Sequence, residues 1–186
     1  MFYSSRVIRL TLGTWLVAAA AVAAGWARDA GVPVIADLDD LYPGVETLLE
    51  KIDYLITSRD IPGRLTGEPD LRQSLPAVRT RYGCRLTAAT LGHEGVLAWG
   101  GSRFHYAPAF QVKTLDTTGA GDIFHAGFIY GLLQAWPMPR QLDFACAAAA
   151  LNCTAAGARG GIQSVENIEA LIATGTRIAS AFDISI

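Results

Sequence analysis

The stretch Asp116-Thr117-Thr118-Gly119-Ala120-Gly121-Asp122-Ile123-Phe124 holds the residues best placed to do chemistry. A polar turn with two glycines runs into an apolar stretch, where Ile123, Phe124, Phe128, Leu132 and Trp136 recur at helical spacing. Gly119 and Gly121 permit a tight turn and a close backbone approach to a ligand. The amides of a first helical turn have no intrahelical acceptor, and the helix dipole adds partial positive charge there. Such a helix start suits an anion, a phosphate above all. Asp122 lies at the same helix start, where a carboxylate can serve merely as a cap. A cap needs one acidic or hydroxyl residue, whereas Asp116, Thr117, Thr118 and Asp122 all cluster here. A base beside an anion hole is what phosphoryl transfer to a hydroxyl demands. One group takes the proton, and the other holds the charge on the moving phosphoryl.

The rest of the chain must position that turn. Its 186 residues suit one domain, or one with a short appendage, and suffice to bury a core. With 51% hydrophobic and 17% charged residues, the chain is too apolar for intrinsic disorder. A net charge of −2 leaves no basic surplus, which argues against a nucleic-acid partner. Cys84, Cys146 and Cys153 are odd in number and scattered. They read as reduced cytoplasmic thiols rather than a disulfide framework or a zinc site. His93, His105 and His125 have no ligand spacing and read as loop or packing histidines.

Short apolar runs alternate with helical patterns. Val32–Ala36, Tyr54–Thr57, Leu86–Leu91, Gly95–Trp99 and Phe104–Tyr106 read as strands. Val45–Lys51, Asp70–Tyr82, the run after Gly121, Gln141–Thr154 and Val165–Ala173 read as helices, while Arg59–Pro69 reads as turns. The alternation predicts an α/β domain with a largely parallel central sheet and no internal repeat. Leu10–Ala27 carries no charge and follows Arg6 and Arg9, so it imitates a signal peptide or a marginal membrane span. The run continues through Arg28 and Asp29 to Gly31, Val32 and Pro33, which reads instead as a buried helix, a glycine stop and a strand. That reading is adopted here, with no membrane partner. Asn152-Cys153-Thr154 matches a glycosylation sequon but falls at a helix end expected to be buried, and carries no weight.

The sequence Asp116–Phe128, DTTGAGDIFHAGF, resembles the second signature of the ribokinase-like (PfkB) carbohydrate kinases. Thr90-Leu91-Gly92-His93-Glu94-Gly95 is similar to that family's TxGxxG turn under the nucleotide phosphates, although alone it reads equally well as a glycine hairpin. Phe144–Leu151, followed by Thr154 and Gly157, resembles the helix and loop beside the adenine. The likeness runs from about Trp15 to Ala173. It implies a three-layer, Rossmann-like ribokinase fold over residues 15–186, after a start at 1–14 expected to be disordered. The implied activity is transfer of the γ-phosphoryl of ATP to a sugar hydroxyl, with ATP and Mg²⁺ as cofactors, in the cytoplasm. Carried over by position, Asp122 is the general base, and Gly119, Ala120 and Gly121 form the anion hole. Thr90, Gly92 and Gly95 line the ATP phosphates, and Cys146 lies where the family contacts adenine. Asp116 and Thr118 match positions that hold a monovalent cation in many members. Asn152, Ala155 and Gly157 would complete that site, partly through backbone carbonyls, so K⁺ is an implied further cofactor. His125 in the signature hints at a carbohydrate over a nucleoside.

Two departures stand out. Where the family has NxxE, a motif that helps place Mg²⁺, this chain reads Ser58-Arg59-Asp60-Ile61. Ser58 can replace the asparagine as a hydrogen-bonding group in the ATP site. Ile61 cannot replace the glutamate, which leaves Asp60 as the nearby carboxylate. Family members also carry a first glycine-rich signature, most sugar-contacting residues and a small β-sheet lid, and nothing before Trp15 matches these. The chain therefore reads as a nucleotide-binding portion truncated at its N terminus. A second reading follows: a catalytically weak or inactive remnant, since water exclusion and substrate positioning are large parts of catalysis. A homodimer is neither demanded nor excluded by the sequence.

Overall fold

The computed structural model describes residues 8–11 and 17–179. Its strands are β1 (Ile8–Thr11), β2 (Val34–Leu38), β3 (Tyr54–Ser58), β4 (Leu86–Thr90), β5 (Val96–Trp99) and β6 (Phe104–Ala107). Its helices are α1 (Val17–Asp29), α2 (Val45–Leu49), α3 (Ile61–Thr66), α4 (Leu71–Tyr82), α5 (Ala120–Leu133), α6 (Met138–Asn152) and α7 (Val165–Thr174). The strands are hydrogen-bonded in chain order from β1 to β6. Neighbours from β1 to β4 are parallel, with Leu10 opposite Ala36, Ala36 opposite Leu55 and Leu55 opposite Thr87. This is the expected mixed α/β architecture with a mostly parallel sheet. Val34–Ala36 and Leu86–Ala89 are buried without a break, because parallel strands in α/β domains are covered on both faces.

The chain forms two compact units. One comprises residues up to Thr90 plus Leu97–Phe104, and the other comprises Leu91–Val96 plus residues from His105 onward. In the first, Leu48, Leu49, Ile52, Leu55 and Ile61 are essentially removed from water. Each such side chain contributes about 1.5–3 kcal/mol. Val17, Ala20, Ala21, Ala24 and Ala27 share this core from one face of α1. Their spacing is the helical one, and it makes a core helix of the segment that imitates a leader. Gly31, at φ +68°, ends it: the amide of Val32 reaches Ala27 O at 2.8 Å and that of Gly31 reaches Arg28 O at 2.9 Å. These reverse-turn bonds satisfy the orphan carbonyls of the last turn. Among the described residues, no helix is long and apolar enough to cross a membrane.

Three boundaries differ from expectation. Ile8–Thr11, inside the start expected to be disordered, forms β1, while 1–7 and 12–14 lie outside the described residues. Ile61–Thr66, inside the stretch read as turns, is helical. Pro62 falls in its first turn, where the missing amide proton costs nothing, and Gly67 closes it with φ +79°. Likewise α6 begins at Met138, because Pro139 is also tolerated in a first turn.

In the second unit, α5 packs on α6. A Cβ added at Gly127 would stand 2.9 Å from Ala145 Cα, so the bare glycine lets the two backbones approach. Beyond that contact Tyr130 and Phe144 stack, with ring centroids 5.2 Å apart, and Trp136 meets both rings edge-on.

Candidate active site

The loop before α5 is tied to the loop after α6. Leu115 and Asp116 both donate their amides to Cys153 O, at 2.8 and 3.2 Å. The Asp116 carboxylate accepts from the Thr118 amide through Oδ1 and from the Gly157 amide through Oδ2, each at 2.8 Å. These bonds, that of Thr118 first, hold its carboxyl below the usual range. At the end of α6 the fully buried Asn152 donates from Nδ2 to Thr118 O at 3.3 Å and to Ala158 O at 3.2 Å. Gly119 adopts φ +76°, and any Cβ there would collide with Ala158 O. Its glycine is therefore required by the second loop, whatever binds nearby.

From this knot α5 begins. Ile123 makes the first intrahelical bond, donating to Gly119 O at 2.9 Å, while the Ala120 amide turns back to Thr117 O at 3.1 Å. The Gly121 amide lies in the first turn, where an α-helix offers no acceptor. A Cβ at Gly121 would meet nothing within 4 Å. Gly121 and Asp122 are both exposed. One turn further on, the buried His125 places Nδ1 2.8 Å from Gly121 O, so it braces the same turn from below.

Gly92 and Gly95 bracket a 3₁₀ turn, Gly92–Glu94, in the same unit. Gly92 is exposed at φ +63° with open space beside it. Gly95 is buried at φ +105°, and a Cβ there would collide with Ala107 O. Cys146 is buried in α6 and donates its thiol to Ala107 O at 3.7 Å. Burial pushes that thiol up to about 12, so it stays neutral. Ala155 follows the α6 terminus and donates its amide to Asn152 O at 3.4 Å.

Ser58 and Thr90 belong to the first unit. They stand opposite one another at the carboxyl ends of β3 and β4, the edge at which open parallel sheets place ligands. Thr90 Oγ1 donates to Thr57 O at 3.2 Å. Asp60, the carboxylate nearest the altered NxxE position, accepts from Arg64 at 3.3 Å, and Arg64 also pairs with Asp40 at 2.7 Å. Among the described residues, no three His, Cys, Asp or Glu side chains gather as a metal site would require.

A two-loop knot opening onto an unoccluded helix start agrees with the family comparison. The profile of the pfkB family of carbohydrate kinases matches residues 7–164. The chain belongs to this family. A ribokinase of Lactococcus lactis is 34% identical over 130 residues, 69% of this chain and 42% of the relative. The fructoselysine 6-kinase of Escherichia coli is 32% identical over 105 residues, 55% of this chain and 38% of the relative. Among solved structures, Arabidopsis thaliana ribokinase complexed with ribose and ATP superposes with a TM-score of 0.75 at 26% identity. That match covers 90% of this chain and 55% of the Arabidopsis chain. The chain thus spans about half the length of the pfkB kinases it resembles.

Within this pfkB chain the fold brings Asp116, Thr118, Gly119, Asn152 and Gly157 into one hydrogen-bonded knot. Sequence reasoning missed Ala158, whose carbonyl forces Gly119 to be glycine, and Cys153, whose carbonyl takes two amides of the opposite loop. Both act through the backbone, which no side-chain pattern reports. The brace from His125 had a signal in its four-residue offset from Gly121, the spacing of one helical turn.

Proposed function

We propose that this chain carries the nucleotide-side machinery of a pfkB kinase that transfers the γ-phosphoryl of ATP to a sugar hydroxyl. One observation carries the reading: an exposed Asp122 shares the first turn of α5 with Gly121, beside which the space is empty. A phosphoryl group seated against the Gly121 amide would gain a hydrogen bond and the helix dipole. Asp122 would then take the proton from the attacking hydroxyl. Gly119 and Ala120 shape the turn that aims the helix, and Gly92, with its left-handed backbone and open flank, suits a phosphate-covering loop. Ser58 and Thr90 supply hydroxyls at the ligand-bearing edge of their sheet. Cys146 contributes apolar bulk to the adenine side rather than a reactive thiolate.

Mg²⁺ fits this donor set as the nucleotide's counter-ion, since the Asp60 carboxylate is committed to Arg64. Magnesium commonly binds through phosphates, retained waters and one or two carboxylates. It neutralises charge on the phosphates when bound. Buried, reduced thiols suit a cytoplasmic setting.

The test is Asp122→Asn, assayed for ATP-dependent phosphorylation over a panel of sugars and for ATP binding by calorimetry. The variant should bind ATP about as well as the parent and lose about 10²-fold in kcat. A parent that binds ATP but phosphorylates no sugar would favour the remnant reading. An Asp122→Asn protein that unfolds, with normal turnover per folded molecule, would make the carboxylate a helix cap and remove the mechanism.

A further inference from the structure

The oxygens that the family resemblance assigns to a monovalent cation are already engaged. Both Asp116 carboxylate oxygens accept backbone amides, from Thr118 and Gly157. Gly157 O accepts from the Gly160 amide at 3.2 Å, and Asn152 O from the Ala155 amide at 3.4 Å. Thr118 O faces a donor, the side-chain Nδ2 of Asn152, which reaches Ala158 O as well. Two carbonyls at one end of that amide require its nitrogen there, since the oxygen would face two other oxygens. A dehydrated cation needs several free oxygens to replace its water shell. Here the remaining buried, unpartnered acceptor of the knot's side chains is Asn152 Oδ1, a single oxygen. The residues present do not fit the ion.

We propose that the Asn152 side chain does the cation's work in this chain. Its two N–H groups bridge the carbonyls of Thr118 and Ala158, and so clamp the loop that carries Gly119 against the loop after α6. A monovalent cation would draw those carbonyls together by charge, whereas the amide does so by hydrogen bonds from inside the chain. The phosphate-facing turn is then held in place without K⁺. The inference concerns loop structure and stands whether or not the chain phosphorylates a sugar.

Thermal melts of the full chain in KCl, NaCl and choline chloride at equal ionic strength test it. The parent should melt at the same temperature in all three. Asn152→Asp keeps the shape but sets a carboxylate oxygen against Thr118 O and Ala158 O, leaving three oxygens for a cation to bridge. That variant should melt several degrees lower than the parent in choline chloride and recover in KCl. Asn152→Ala, which removes the donor without adding charge, carries the same test if the aspartate variant does not fold, and should also gain a K⁺ response. A K⁺-specific rise in the melting temperature of the parent overturns the proposal. So does a pair of variants as indifferent to K⁺ as the parent, because the amide would then not stand in the cation's place. Loss of kinase activity would leave these melts unchanged, so failure here is separable from failure of the functional reading.

Discussion

Gly119 and Gly121 look alike in the sequence and do different work. At Gly119 a side chain is refused twice, by a left-handed backbone and by Ala158 O. At Gly121 the backbone is helical and the surroundings are open. Gly119→Ala should therefore destabilise the protein by about 1–3 kcal/mol, the scale of a strained non-glycine position. Gly121→Ala should leave stability intact or raise it by up to about 1 kcal/mol, since glycine is the poorer helix former. If the empty space beside Gly121 receives a phosphate, the added methyl should still weaken ATP binding at least tenfold. Urea denaturation and ATP calorimetry on the two variants separate these effects. Unchanged ATP affinity in Gly121→Ala would mean that phosphate sits elsewhere. The motif itself was plain in the sequence, because residue types at fixed offsets announce a turn entering a helix. Its division of labour was not, since that depends on Ala158, nearly forty residues downstream.

At the scale of elements, α5 and α6 depend on small residues where they cross. Gly127→Ala would press a methyl on Ala145 Cα, which is backbone and cannot swing aside. Overpacking of this kind costs about 1–3 kcal/mol. At about 2–4 °C per kcal/mol for a chain of this size, melting should drop by several degrees. Gly25→Ala is the matched control. It too lies inside a helix, but its Cβ would meet only the far end of Lys51, at 3.5 Å. That change should stabilise by up to about 1 kcal/mol. A Gly127→Ala protein as stable as the parent would show that the α5–α6 contact can open. Most elements were legible because their signals are local: uninterrupted apolar runs for β2 and β4, and Asp70 and Gly83 as start and stop of α4, where Asp70 accepts the Arg72 amide at 2.9 Å. What escaped, α3 and the first turn of α6, had proline inside the helix start, where proline reads as a breaker but behaves as an opener. The leader-like segment was ambiguous for a different reason. Charge and mean hydropathy cannot separate an alanine-rich core helix from a leader; the one-sided burial of α1 can.

On the scale of the whole molecule, buried thiols set the alkaline limit. In the first unit the Cys84 thiol is pushed up to about 11, by burial first and by Asp53 second. In the second unit Cys146 is pushed up to about 12 by burial, and Cys153 is raised by burial and then by Asp116. An unfolded cysteine titrates near pH 8.5. Below that value both states keep the proton, and the thiols make stability independent of pH. Above it the unfolded chain releases protons that the folded chain retains, so stability falls as pH rises, until the folded thiols titrate in turn. Each thiol contributes a slope of up to about 1.4 kcal/mol per pH unit in that window. The acid edge has the opposite sign. Asp40, Asp116 and Glu166 are held below their usual values, so their contribution is lost as the pH falls below about 4. Solvent screens all three, which makes that edge shallow. Stability should therefore be level between about pH 5 and 8 and decline steeply above pH 9. Urea unfolding at pH 8, 9 and 10, in a phosphine reductant, measures the decline. Cys146→Ala should be less stable than the parent at pH 8 and yet lose less between pH 9 and 10, because one retained proton is gone. Equal losses in parent and variant would mean that Cys146 ionises in the folded protein, and that the α6 core admits water.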